Sequence, residues 1–458
     1  MDAMTNATTN ATTNAATDPA TDPLANGTAD CTRGIAPEPR TPEPRMPEPR
    51  SPEPRTPQPR TPDPRAYDWR AGPGPGGGAG RVPRRPQPRP VLSELRLSAF
   101  GPHRAAAFGF GPVTLIAGPS GSGKSRLVAA CTALAGLGAG GTLAEVFPEP
   151  AACVPDGSVP DAERRRGFRI GCTVDGPAGP VRLDLAVQAE PSLRIVGERL
   201  SAGGRPLLTT ALREPRLPVV EAAWLTEGTH GVTRAPLPDD RLGTALLPLR
   251  VAGRTEGQRR VLAAAEQVVV ALRSVYGCDP RPEAMREPVP LGAGRLAGNC
   301  ADLADVLRRT RRECGTRYAL LLNAAWAGCA GGPVREVAAR ALAGGRVVAE
   351  LVRESGPATP LARLGDGELR FLAFALVLLT GPGVLAVDPA AELPSARQAL
   401  TVLADGFDRC LDRRQRTELV RLAVTAAERG HLRLVATVGE DAMGARGLPG
   451  VSVVDLVP

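Results

Sequence analysis

The sequence predicts an α/β fold: a mixed central sheet, an antiparallel β subdomain and a helical subdomain, behind a disordered N-terminal tail. Three observations predict it. A short β-branched and apolar run, Val113–Ala117, leads into a glycine-rich turn and then into a helical pattern. A second apolar run, 384–387, ends on Asp388. Between them, segments of strand alternation give way to segments of helical spacing, whereas residues 1–90 hold almost no large apolar side chains.

Those first 90 residues are low-complexity. Residues 5–14 read TNATTNATTN, and residues 36–65 repeat a pentapeptide six times: APEPR, TPEPR, MPEPR, SPEPR, TPQPR and TPDPR. Proline at this density favours an extended polyproline II rod, and the segment cannot bury enough surface to offset chain entropy. Arg81, Arg84, Arg85 and Arg89 make the stretch after the repeat basic, which reads as a solvated linker. The N-x-T triplets at Asn6, Asn10 and Asn26 are discounted as glycan acceptors, because no charged and apolar leader precedes them.

The folded part, 91–458, opens with strand alternation over 92–100 and again over 105–110. Next comes GPSGSGKS, Gly118 to Ser125, which matches G-x-x-x-x-G-K-[ST]. Lys and Arg together number 56, yet Lys124 is the single lysine. A phosphate loop needs a compact ammonium on a flexible stem, and a planar guanidinium does not fit the cradle. Backbone N–H groups of Gly118, Ser120, Gly121, Ser122 and Gly123 would face the phosphates, with Arg126 at the helix start and the helix dipole behind. Lys124 would reach the β- and γ-phosphates, and the Ser125 hydroxyl would ligate Mg²⁺.

A strand-rich middle follows over 167–250, with a hairpin predicted from 171–174 and 181–187. Residues 255–276 and 301–326 carry helical spacing. Residues 337–342 and 346–352, joined at Gly344-Gly345, read as a second hairpin, with a helix as the alternative. The turn Leu364-Gly365-Asp366-Gly367-Glu368 opens a long apolar helix that a Gly-Pro-Gly break ends. The strand at 384–387 then delivers Asp388, and an acid at the tip of an apolar strand is the Walker B arrangement, which holds the Mg²⁺ shell.

GPSGSGKS, then LGDGELR, then VLAVD, in that order, resembles an ABC-type ATPase head, most similar to the RecF/SMC-like branch and its stand-alone relatives, often described as AAA-type ATP-binding proteins. The opening pair LSELRLSAFGPHRAAAFGF is similar to that branch too, and the resemblance covers about 91–458. It implies ATP and Mg²⁺ as cofactors. It implies that Gly365, Gly367 and Glu368 form the signature turn, which contacts the γ-phosphate of ATP held by a second subunit. The implied active form is a head-to-tail homodimer.

Three departures stand out. The family places Glu directly after the Walker B Asp, and here that residue is Pro389, with Glu392 as the substitute acid. The family's switch His after the next strand is missing, since Val438 and Gly439 stand where it is expected while His431 lies before that strand. Gly365 replaces the signature Ser, and no Gln lies between Ser125 and Gln188 to serve as a nearby Q-loop. Loss of a general base costs about 10²–10⁴ in rate, so the expectation is ATP–Mg²⁺ binding with slow turnover, a dimerisation switch or weak ATPase.

Composition narrows the rest. No run of 18 apolar residues predicts a membrane span. Nine cysteines without a C-x-x-C pair argue against zinc and disulfides and suit reduced thiols in a cytoplasmic protein. His103, His230 and His431 make no metal-ligand spacing, and a net charge of +8 is mild for 458 residues. DNA is an expected partner from the resemblance alone, without the heptads that would build coiled-coil arms. The alternatives are a transporter energy subunit, and a scaffold with structural ATP whose proline-rich tail meets a proline-recognising partner.

Overall fold

The computed structural model describes residues 88–227, 231–381, 383–387 and 398–457. The tail repeats, Asp388, Pro389 and Glu392 lie outside the described residues.

Strands β1 (Val91–Phe100) and β2 (His103–Gly109) form the opening hairpin. Leu92, Leu95, Leu97 and Phe100 turn inward, which is why the segment pairs on both edges. Strand β3 (Val113–Ala117) is buried throughout and ends on the glycine-rich turn before helix α1 (Lys124–Gly138). Helix α2 (Leu143–Val146) and a 3-10 turn at Pro150–Cys153 lead back to a run of strands. These are β4 (Arg166–Asp175), β5 (Val181–Glu190), β6 (Arg194–Ala202), β7 (Arg205–Ala211), β8 (Val219–Glu227) and β9 (Gly231–Pro238). The predicted hairpin is β4–β5, with Val174 opposite Val181.

Helix α3 (Gly243–Arg250) precedes α4 (Glu256–Arg273), which Thr255 caps through the Gln258 N–H at 3.2 Å. Gln267 of α4 is buried and latches the β4–β5 turn: its amide nitrogen donates to Val174 O (2.8 Å) and Gly179 O (2.7 Å). After β10 (Val275–Cys278), α5 (Pro282–Met285) and β11 (Val289–Pro290), the predicted helical stretch 301–326 is two helices, α6 (Leu303–Glu313) and α7 (Gly315–Gly328). They break at Cys314, whose φ of −149° is extended. The second hairpin is β12 (Val334–Leu342) with β13 (Arg346–Arg353), which closes the helix alternative; the short β14 (Thr359–Pro360) pairs with β13. Helix α8 (Asp366–Leu379) is the predicted apolar helix. Strand β15 (Leu400–Ala404), helix α9 (Arg413–Glu428), β16 (Leu432–Val438) and β17 (Val451–Asp455) complete the order.

The two strand directions are divided between sheets. One five-stranded sheet, β10-β15-β16-β3-β17, is parallel at every pairing, and an eight-stranded sheet, β2-β1-β4-β5-β6-β7-β8-β9, is antiparallel. Parallel sheets need both faces covered, and this one has a core on each side. Val113, Leu115 and Ala117 of β3 join one core with α7, α8 and α9; Ile116 joins the other with α1, α4 and the antiparallel sheet.

One predicted element is corrected. Val384, Leu385 and Val387 are buried, but residues 384–387 are not a strand of the parallel sheet; they make a turn with a single bridge, Leu296 to Leu385. Leu296 N donates to Val384 O at 2.7 Å and Ala386 N to Leu296 O at 2.8 Å, so the segment's backbone bonds go to that bridge. The place in the sheet two strands from β3 belongs to β15. Among the described residues no helix is long and apolar enough to cross a membrane.

Candidate nucleotide-phosphate site

The loop after β3 is built for close approach. A Cβ on Gly118 would stand 2.6 Å from Leu456 O, and one on Gly123 would stand 2.6 Å from His103 Nε2. The β1–β2 turn therefore leans on the loop, and His103 Nε2 meets the Gly123 carbonyl at 3.1 Å, which makes it the donor. His103 is buried, its ring edge-on to Phe108 at 5.4 Å. Helix α1 starts from Gly123 (φ 92°) with no side-chain cap and no acid in its first turn. Its first N–H groups and its dipole are left for an outside acceptor.

Lys124 Nζ donates to Gly118 O at 2.6 Å and to Pro119 O at 2.7 Å, folding the ammonium back over the loop. Ser122 is 5% exposed, and its hydroxyl has no hydrogen-bond partner. A buried hydroxyl without a partner costs about 1–3 kcal/mol. Ser125 and Arg126 are exposed at the helix start.

The loop backbone, Lys124, Ser125 and Arg126 face a cavity of about 840 Å³ at the carboxyl ends of the parallel strands, the side where open α/β sheets take ligands. Gly118, Ser120, Gly121, Gly123, Lys124, Ser125 and Arg126 line it on one side. Opposite stand Asp405 and Gly406 after β15, Thr437, Val438 and Gly439 at the end of β16, and Asp408 and Arg409. Sequence reasoning singled out Val438 and Gly439 but missed Asp405, Asp408 and Arg409. Asp405 Oδ1 accepts from Thr437 Oγ1 at 2.6 Å, and Thr437 Oγ1 accepts from Gly406 N at 2.7 Å, which fixes the carboxylate at the strand tip. Asp408 Oδ2 accepts from Gly439 N at 2.8 Å. Beyond the wall, burial pushes the Cys153 thiol up from its ordinary range, with Arg126 opposing, so it is no thiolate nucleophile.

The residues fit a nucleoside triphosphate with Mg²⁺: an uncapped helix start, an ammonium, a hydroxyl and a carboxylate converge on one cavity. The acid that lines the cavity from the tip of a parallel strand is Asp405. Gly406 follows it, so the position of the family's Glu again holds no acid, and Val438 and Gly439 stand where the His is expected.

Gly365, Gly367 and Glu368 do not line this cavity. They open α8, where Glu368 Oε2 accepts from Gly365 N (3.2 Å) and Oε1 from Ala330 N (2.8 Å). Asp366 Oδ1 accepts from Arg286 Nη2 at 2.6 Å. A Cβ on Gly367 would stand 2.2 Å from Cys410 O. The link between the two places is Arg370 of α8, 2% exposed, which donates to Gly406 O at 2.8 Å and to Asp279 Oδ1 at 3.2 Å.

The fold and cavity define the class: an α/β fold with a parallel sheet, its glycine-rich loop and a strand-tip acid on either side of one cavity. Among solved structures the chain is similar to an SMC head domain from Thermotoga maritima, with a TM-score of 0.38 and 13% identity over 80% of this chain and 95% of that one. It is similar to an SmcHead bound to the C-winged helix domain of ScpA (0.44, 13%, 78% and 92%). A third is an Smc head domain with an extended coiled coil, bound to the C-terminal domain of ScpA derived from Pyrococcus furiosus (0.40, 10%, 78% and 91%). At these scores and identities nothing of their chemistry or partners carries over. No protein-family model matches the chain, and no curated protein matches it.

Proposed function

We propose that this chain binds ATP with Mg²⁺ in the cavity between the Gly118–Ser125 loop and Asp405, and turns it over slowly as a nucleotide-dependent switch. The observation that carries the reading is the convergence of Lys124, Ser125, the backbone of the glycine-rich loop and Asp405 on one cavity. Lys124 exchanges two carbonyl partners for phosphate oxygens, so its ammonium costs little to redirect. Ser125 and Asp405 would hold Mg²⁺, which when bound neutralises phosphate charge. ATP rather than another nucleoside triphosphate follows from the resemblance. Slow turnover follows from Gly406 and Val438, which supply no group to take a proton from water.

The separation of the α8 turn from the cavity supports a head-to-tail homodimer, in which Gly365 and Gly367 of one copy meet nucleotide held by another. DNA stands as a proposed partner on the resemblance alone. A proline-recognising partner for residues 36–65 rests on their composition.

The test is equilibrium binding and steady-state turnover of Mg²⁺-ATP by the full chain. Saturable binding lost in Lys124→Ala and weakened in Asp405→Asn is the expected result, with turnover well below one per second. Fast turnover that Asp408→Asn abolishes would replace the switch with an efficient ATPase that uses Asp408 as its base.

A further inference from the structure

Resting on the nucleotide reading above, the geometry points to Arg409 as the residue that reads the terminal phosphate and makes the cavity prefer a triphosphate to a diphosphate. The argument starts at Gly406. Its φ is 61°, and a Cβ there would meet Arg409 Nη2 at 2.7 Å, Nε at 2.9 Å and Cζ at 3.0 Å. The guanidinium thus occupies the space in which a side chain beside Asp405 would begin. A cation stands where the resemblance expects a carboxylate.

The cation is lightly committed. Its ion pair among the described residues is with Asp279 Oδ1 at 3.7 Å, and that oxygen is also bonded by Arg370 at 3.2 Å. The Arg409 side chain is 56% exposed, so most of its N–H groups are unspent. The turn holds it in place: Arg409 N donates to Gly406 O at 3.0 Å, and Arg370 fixes the same carbonyl from below at 2.8 Å. A guanidinium presents a planar fork that matches two phosphate oxygens at once.

Which phosphate it meets follows from the sheet. The glycine-rich loop leaves β3 and Asp405 leaves β15, with β16 between them. Neighbouring strands lie about 4.8 Å apart, so the two walls are about 10 Å apart at the strand ends. A chain of phosphates held by the loop and Lys124 extends towards Asp405, and its last member comes nearest to Arg409. A diphosphate ends short of it. Arg409 then withdraws negative charge from the terminal phosphate but accepts no proton from water, which fits a site that retains triphosphate.

The experiment is calorimetric titration of the full chain with Mg²⁺-ATP and with Mg²⁺-ADP, for the unchanged protein, Arg409→Ala and Arg409→Lys. Arg409→Ala is expected to lose about tenfold or more in ATP affinity while ADP affinity stays within about twofold, since one charge-assisted contact is worth about that much. Arg409→Lys should recover part of the loss, because it restores charge without the fork. Equal loss for both nucleotides, or no loss for either, would overturn the assignment. Binding of neither nucleotide by the unchanged chain would overturn the nucleotide reading, and the role of Arg409 with it. Binding that survives Lys124→Ala unchanged would remove the loop as the anchor of the phosphates and overturn the placing of the terminal one at Arg409.

Discussion

Two glycine-rich turns open helices in this chain, and they are finished in opposite ways. The turn before α1 has no side-chain cap, a buried hydroxyl without a partner and an ammonium folded onto its own carbonyls. The turn before α8 is closed: Glu368 accepts from both Gly365 N and Ala330 N, Arg286 holds Asp366, and Cys410 O sits against Gly367. Both read as glycine-rich in sequence. Unspent donors distinguish a turn that awaits a ligand from one whose local bonds are already made. Within a single copy, the second turn offers mainly the open side of Gly365, where a Cβ would meet nothing nearer than Glu368 Oε2 at 3.9 Å.

The sharpest break of this comparison lies inside the closed turn. Gly367→Ala would drive a Cβ to 2.2 Å from Cys410 O, a backbone atom that cannot step aside without moving the start of α9. The expected cost is about 2–4 kcal/mol of stability, at or above the usual range for overpacking because backbone is the obstacle. Chemical denaturation measures it. Gly365→Ser serves as the control, since φ −64° suits any residue, the space is open and serine is no worse than glycine at an N-cap. A tolerated Gly367→Ala would mean that the closed turn is not closed.

The open turn should respond in the reverse sense. Ser122→Ala removes a buried hydroxyl that has no partner, so folding stability should hold or rise by up to about 1 kcal/mol. If that hydroxyl is reserved for a phosphate oxygen, ATP affinity should fall about tenfold at the same time. A thermal melt and a binding titration on one preparation read both quantities. Lower stability with unchanged binding would make Ser122 an ordinary loop residue and erase the contrast between the turns.

How much of this was legible beforehand depended on how local each signal is. The loop at Gly118–Ser125 was legible because one contiguous motif and one lysine carry it. The two hairpins were legible because alternation and glycine turns are short-range properties. The strand-tip acid was not. Two apolar runs end on aspartate, 384–388 and 400–405, and the large apolar side chains of both are buried. What separates them is pairing: Leu400–Ala404 lies in register with Leu432 through Ala436, while 384–387 meets Leu296 alone. Periodicity cannot see a partner 32 residues away in register. The break between α6 and α7 at Cys314 was hidden for a related reason, because apolar spacing continues across it. Arg409 gave no local signal at all; its place over Gly406 depends on a turn with φ 61° that sequence does not specify.

The smallest expected effect tests whether the closed turn can be improved on its own terms. Gly365 is the N-cap of α8, and Glu368 is three residues on. Gly365→Ser would complete a capping box, with the new hydroxyl accepting from Glu368 N while the Glu368 carboxylate keeps its bond to residue 365 N. The backbone at φ −64°, ψ 155° is already that of a serine cap, and no atom but Glu368 Oε2 lies within 4 Å of the new Cβ. Serine exceeds glycine at this position by a few tenths of a kcal/mol. For a domain of this size that is about 0.5 °C in melting temperature. The same hydroxyl restores the group that the family resemblance expects there. In a head-to-tail pair it would face nucleotide on the second copy and strengthen ATP-dependent dimerisation beyond what the melt alone predicts. Sedimentation with and without Mg²⁺-ATP separates the two contributions. A rise in melting temperature with no change in dimerisation would leave the second turn a structural cap, and the contrast between the two turns would then be complete.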